Sequence, residues 1–174
     1  MTSVMKYLLF AGFVSTVIGA NWALATWGLV PIGWGLMAPA GVFSAGLAFT
    51  FRDILHETGG RQYVLVAIVT GAALSWFLED AQRFAVASGT AFLASEGIDL
   101  LVYTPLRARG WLRAVFASNV VGFTLDSVLF LWLAFGSLAF LNGQLVGKGY
   151  MTLGAVAILW AWRNRGLLPR HTPS

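Results

Sequence analysis

Long apolar runs separated by short charged or aromatic segments constrain this chain more than any other feature. Six stand out: Val4–Ala20, Gly35–Phe51, Tyr63–Leu78, Phe84–Tyr103, Leu112–Phe135 and Met151–Trp162. A helix crossing the ~30 Å hydrocarbon core needs about 20 residues at 1.5 Å each. The third and sixth runs are short and need flanking Trp and Tyr to reach the interface. Lipid-exposed backbone must satisfy its own hydrogen bonds, and the strict alternation of a barrel is absent, so the spans are read as helices. Only 10% of the 174 residues are charged and 58% are hydrophobic. That leaves too little polar surface for a water-facing globule, which excludes a soluble enzyme. The sequence predicts an all-α integral membrane protein, a bundle of six transmembrane helices forming one domain over residues 1–174.

Charge placement gives an orientation. Lys6, Arg52, Arg61, Arg107, Arg109, Arg113, Arg163, Arg165 and Arg170 fall on one side of the six spans, and Arg83 and Lys148 on the other. Such a bias predicts N and C termini in the cytoplasm and a multi-pass protein of the cell inner membrane. The basic balance therefore reflects topology, and no nucleic-acid partner is expected. Met1–Ala25 mimics a signal peptide, with Lys6, an apolar core and small residues at Ala23–Ala25; it is expected to be retained as the first span. The chain has no Cys and only His56 and His171, so thiolate chemistry and imidazole clusters are excluded and no cofactor or metal is expected. The uncharged segment Asn21–Met37, with Trp22, Trp27, Trp34 and Pro31, has two readings. It is an outer aromatic belt with a tight loop, or a partly re-entrant cap over a ligand cavity.

Asp53, Glu57, Glu79 and Asp80 are expected in loops. Glu96, Asp99 and Asp126 instead lie inside spans, where each charge costs about 2.5–3.5 kcal/mol on insertion scales. Apart from Arg113 at the cytoplasmic edge of the fifth run, no Lys or Arg lies in the same spans, so these acids are expected to face a wet cavity, share protons or bind something. By helical rise, Glu96 and Asp99 lie roughly 6–11 Å from the cytoplasmic edge, Asn119 about 9 Å and Asp126 about 20 Å. Phe92, Glu96, Asp99 and Tyr103 form one helical stripe, and Asn119, Gly122 and Asp126 another, with Ser88, Ser95, Ser118 and Ser127 nearby. Two such stripes are expected to converge on a central cavity; the competing reading is polar glue between helices. Carboxylates accept paired N–H donors, so a planar, donor-bearing, purine-like base suits the site, with Phe92 as an aromatic face. Nothing resembles a hydrolase or ATPase motif, so no enzyme activity is expected.

Two stretches carry a resemblance. One is Ala38–Phe43 with Gly46–Asp53. The other is Ala87–Phe92, Ser95, Glu96, Asp99 and Tyr103, then Trp111, Ser118, Asn119, Asp126, Ser127, Phe130 and Ala134–Phe135. Together they resemble the VUT (vitamin uptake transporter-like) family of queuosine-precursor transporters. The resemblance implies an importer of 7-cyano- or 7-aminomethyl-7-deazaguanine, with Glu96, Asp99, Asn119 and Asp126 lining the base site. Ser95, Ser127 and Phe92 complete the expected set. Proton coupling through unpaired acids is a secondary expectation. Two other classes stay open. One is a solute-binding membrane subunit of an ATP-driven vitamin uptake system. The other is a membrane enzyme using Glu96 and Asp99, which lacks an accompanying nucleophile or metal set. The Arg52–Asp53 pair is expected as a helix-end ion pair, with a gate as the sharper reading. A homodimer would cover lipid-facing surface, but nothing in the sequence specifies its interface.

Overall fold

In the computed structural model, which describes residues 3–164, six helices and one β-hairpin are present. They run α1 (Ser3–Trp27), β1 (Leu29–Gly33), β2 (Leu36–Pro39), α2 (Val42–Gly59), α3 (Arg61–Trp76), α4 (Gln82–Arg107), α5 (Trp111–Phe135) and α6 (Leu141–Asn164). Successive neighbours α1–α3–α4–α5–α6–α2 close into a ring, because α2 also packs on α1. Arg165, Arg170 and His171 lie outside the described residues, as do the side chains of Glu57, Asp99, Asn119 and Arg163.

The all-α expectation gains a hairpin. Two helical stretches, Val4–Trp27 and Phe116–Phe135, are long and apolar enough to cross a membrane alone among the described residues. Gln82–Ile98 and Leu101–Arg107, which meet at a 41° bend, form a third if taken as one span. Pro105 lies inside α4 and accounts for the bend, since its ring crowds the carbonyl four residues upstream, at Leu101.

Several expected boundaries move. Asp53 and Glu57 lie within α2, not in a loop, while Glu79 and Asp80 occupy the α3–α4 connection. The largest change is in the sixth helix, which begins at Leu141, ten residues before the first apolar residue expected of it. Hydropathy missed this turn-rich start because Gly143, Gln144, Gly147 and Lys148 read as loop. In the bundle these residues are buried against other helices or the hairpin, so a polar face is tolerated there. Gly143 lies against the backbone of β2, and a Cβ there would run into the Met37 carbonyl oxygen.

Asn21 and the three Trp divide between α1 and the hairpin. Strand β1 pairs antiparallel with β2, Gly33 opposite Leu36, and the two-residue turn Trp34–Gly35 has φ of 51° and 72°. Both central residues with positive φ mark the primed turn that matches the twist of paired strands. Ile32 and Ala38 bury against Val42 and Val146, so the hairpin is docked on α6 and α2. Trp22, Trp27 and Trp34 are all exposed, Trp34 at 80%.

Candidate functional site

On α6, Gln144, Lys148 and Thr152 recur at four-residue spacing and are all buried, which makes a polar stripe facing the bundle interior. Lys148 is 1% exposed. Its Nζ donates to Asp126 Oδ2 at 2.5 Å and to Ser127 Oγ at 2.9 Å, both on α5. The same Nζ lies 5.8 Å from the centroid of the Phe49 ring. A buried ion pair is tolerated when good geometry and extra hydrogen bonds offset the desolvation of both charges.

A cavity of about 50 Å³ opens beside this pair. Its polar lining is Asn21, Ser88, Asp126, Gln144 and Lys148, and apolar walls come from Leu24, Val42, Ile68, Phe92 and Phe130 among others. That volume holds roughly three to five waters at ~10–15 Å³ each, so helices must separate to admit a larger solute. Asn21 is fixed in orientation: its Nδ2 donates to Ser75 Oγ and its Oδ1 accepts from Ser88 Oγ, each at 3.1 Å. These residues belong to the ends of α1, α3 and α4 nearest the hairpin, and Pro39 and Gly41 at the hairpin base border the same space. Gly41 is required there, because a Cβ would collide with the Ala20 carbonyl.

Beyond the cavity lies a layer of rings. Phe49 stacks on Phe92 at 4.7 Å between centroids, and Phe13 meets Phe92 edge-on at 5.5 Å. Phe123 joins the same buried cluster, so α1, α2, α4 and α5 each contribute one ring. A second charge cluster lies on the other side of Phe49. Arg52, fully buried on α2, has its guanidinium carbon 5.2 Å from the Phe49 centroid. It donates to Asp53 Oδ1 through Nε at 2.9 Å and Nη2 at 2.6 Å, and through Nη1 to Glu96 Oε2 at 3.4 Å. The two cations thus flank one aromatic ring.

The expectation that the intramembrane acids lack cationic neighbours is overturned for Glu96 and Asp126; the Asp99 side chain lies outside the described residues. Glu96 meets Arg52 and Asp126 meets Lys148, each partner arriving from a helix distant in sequence. For these two acids the motive for proton coupling goes with it. Lys148, read as an outer-loop charge, and Arg52, read as a cytoplasmic one, are both interior residues. Both therefore leave the count of flanking charges from which the orientation was expected. The Arg52–Asp53 ion pair exists, but inside the bundle rather than at an exposed helix end.

The expected site residues separate into two levels. Asp126 and Phe92 line the cavity, and Ser127 holds Lys148. Glu96 lies with Arg52 on the far side of the Phe layer, and neighbouring Ser95, fully buried, donates to the Phe92 carbonyl at 3.0 Å. The side chains of Asp99 and Asn119 lie outside the described residues. Four polar residues of the cavity were absent from the expected set: Asn21, Ser88, Gln144 and Lys148. The four-residue spacing of Gln144, Lys148 and Thr152 was the available signal for two of them. Asn21, isolated in an apolar run, offered none. No group of three or more His, Asp or Glu among the described residues could hold a metal ion.

No curated protein and no solved structure matches the chain. A family model described as "Putative vitamin uptake transporter" matches residues 72–163, more than half of the sequence, from the end of α3 to the end of α6. This stretch contains Ser88, Phe92, Glu96, Asp126, Ser127, Gln144 and Lys148, the greater part of both polar levels. With its apolar helices and its buried charged interior, the chain belongs to the vitamin uptake transporter family of membrane proteins.

Proposed function

We propose that all six helices cross the inner membrane, with both termini cytoplasmic, and that the protein imports a purine-like base. The favoured solute is a queuosine precursor, 7-cyano- or 7-aminomethyl-7-deazaguanine. The observation that carries this reading is the cavity beside the buried Lys148–Asp126 pair, closed on one side by stacked Phe rings. A guanine-type edge presents a carbonyl oxygen next to N–H donors. Lys148 can donate to the carbonyl, and Asp126 can accept from the ring N–H and the amino group. Phe92 supplies an apolar face for the ring system.

In this reading the cavity is the station nearer the outside, since Arg83 and the hairpin mark the outer end. Asp126, with Ser127 and Lys148, holds the base there. Glu96, with Ser95, Asp99 and Asn119 on the same helices, forms the inward station, reached when the Phe49–Phe92 stack parts. Two stations separated by an aromatic layer suit alternating access, in which only one end is open at a time.

The test is uptake of labelled 7-aminomethyl-7-deazaguanine by cells that lack their own importer. Uptake is expected with the wild-type chain and is expected to fall at least tenfold in an Asp99→Asn, Asp126→Asn double variant. Unchanged uptake in that variant removes the site assignment. Purified chain in liposomes is expected to carry the base unaided; uptake only with an added ATP-driven module would make it a binding subunit instead.

A further inference from the structure

Among the oxygens around the cavity, the side-chain carbonyl of Gln144 stands apart. Gln144 is 2% exposed, lines the cavity, and its Oε1 has no hydrogen-bond partner among the described residues. A buried acceptor left unsatisfied is destabilising, and folded interiors leave few of them. A Leu would fill the same volume without that cost. Nothing among the described residues explains the polar group: the Asn21 amide is clamped between Ser75 and Ser88, and Lys148 is held by Asp126 and Ser127.

We propose that Gln144 is a specificity-determining residue of this cavity, its Oε1 accepting a hydrogen bond from an N–H of the transported solute. The inference rests on the base-importer reading and narrows it. Gln144 lies one turn of α6 from Lys148, about 6 Å along the axis, so an acceptor and a donor are presented on one helix face. A neutral heterocycle with a carbonyl and an N–H on neighbouring edges satisfies both at once. A solute alkylated at that nitrogen leaves Oε1 buried and unsatisfied, and is rejected for that reason. Specificity of this kind is the strongest a pocket can build, because the wrong solute strands a polar group.

Proteoliposomes containing the full chain provide the test, with a labelled guanine-type base and its N-methylated analogue as probes. For Gln144→Leu, KM for the parent base is expected to rise about tenfold with kcat little changed, while KM for the methylated analogue stays within twofold of wild type. A residue that merely packs would shift both solutes alike. Absence of uptake by the wild-type chain defeats the importer reading and this assignment with it. Wild-type uptake that Gln144→Leu leaves within twofold overturns the assignment alone. The chain contains no cysteine, so Gln144→Cys carries a single thiol and serves if the Leu variant fails to fold. Its modification by a small methanethiosulfonate reagent is expected to slow at least fivefold when the base is present, and an unslowed rate overturns the proposal.

Discussion

Replacing Lys148 by Met isolates what the interior ion pair does. The side chain keeps nearly its length, so packing against Phe49 survives while the charge goes. Asp126 is then left 5% exposed, with its partner at 2.5 Å removed and apolar side chains such as Leu24, Ile68 and Phe130 around the same cavity. Breaking a buried pair from one side costs about 3–5 kcal/mol. For a chain of this size each kcal/mol moves the midpoint by about 2–4 °C, which puts the expected loss at roughly 6–20 °C. The second change, Asp126→Leu in the Lys148→Met background, removes the stranded carboxylate and is expected to restore most of that loss, since apolar replacements of buried pairs are often neutral. Thermal unfolding of the four members of this cycle in one detergent reads the coupling directly. A Lys148→Met midpoint within about 2 °C of wild type, or a double variant less stable than either single one, would refute the reasoning. The first result means that water in the cavity already solvates the carboxylate; the second means that the apolar pair does not fill the site.

Other perturbations probe the remaining contacts. Arg52→Met removes the guanidinium that Asp53 and Glu96 share and is expected to destabilise by about 3–5 kcal/mol, read as a lowered midpoint and reduced membrane yield; a wild-type midpoint would show that the guanidinium is dispensable. Phe49→Ala empties a fully buried ring site between the two cations, at a cost of about 3–5 kcal/mol. If the stack is the barrier between the two stations, liposomes bearing that variant also leak the base down its gradient in the absence of any driving ion. Gly143→Ala forces β2 away from α6 and is expected to cost about 1–3 kcal/mol. Gly97→Ala on α4 meets open space and is expected to be neutral or to stabilise by up to about 1 kcal/mol. Equal midpoints for the two glycine variants would refute the close approach of hairpin and helix.

The stripes on α4 and α5 were legible because a helix repeats every 3.6 residues and writes its facing into the spacing of Phe92, Glu96 and Tyr103. Lys148 was misplaced because hydropathy treats any cluster of Gly and a cation as loop, whereas a helix face that never meets lipid is free to be polar. Asn21 was unreadable in the other direction: one amide in an apolar run looks incidental until Ser75 and Ser88 are seen to hold it from two other helices. The hairpin was misread for a third reason. Its docking depends on Gly143, over a hundred residues from the turn, and local pattern carries no information on such a partner.

The sequence by itself determined the solvent and the largely helical character of this protein. Runs too apolar for water must satisfy their backbone internally, and helices do so within one segment. Only the tertiary structure decided how the interior charges are compensated. Glu96 is joined to Arg52 across 44 residues and Asp126 to Lys148 across 22. Electrostatic neutrality is a property of a volume, and a volume bounded by several helices has no image in the order of residues along any one of them.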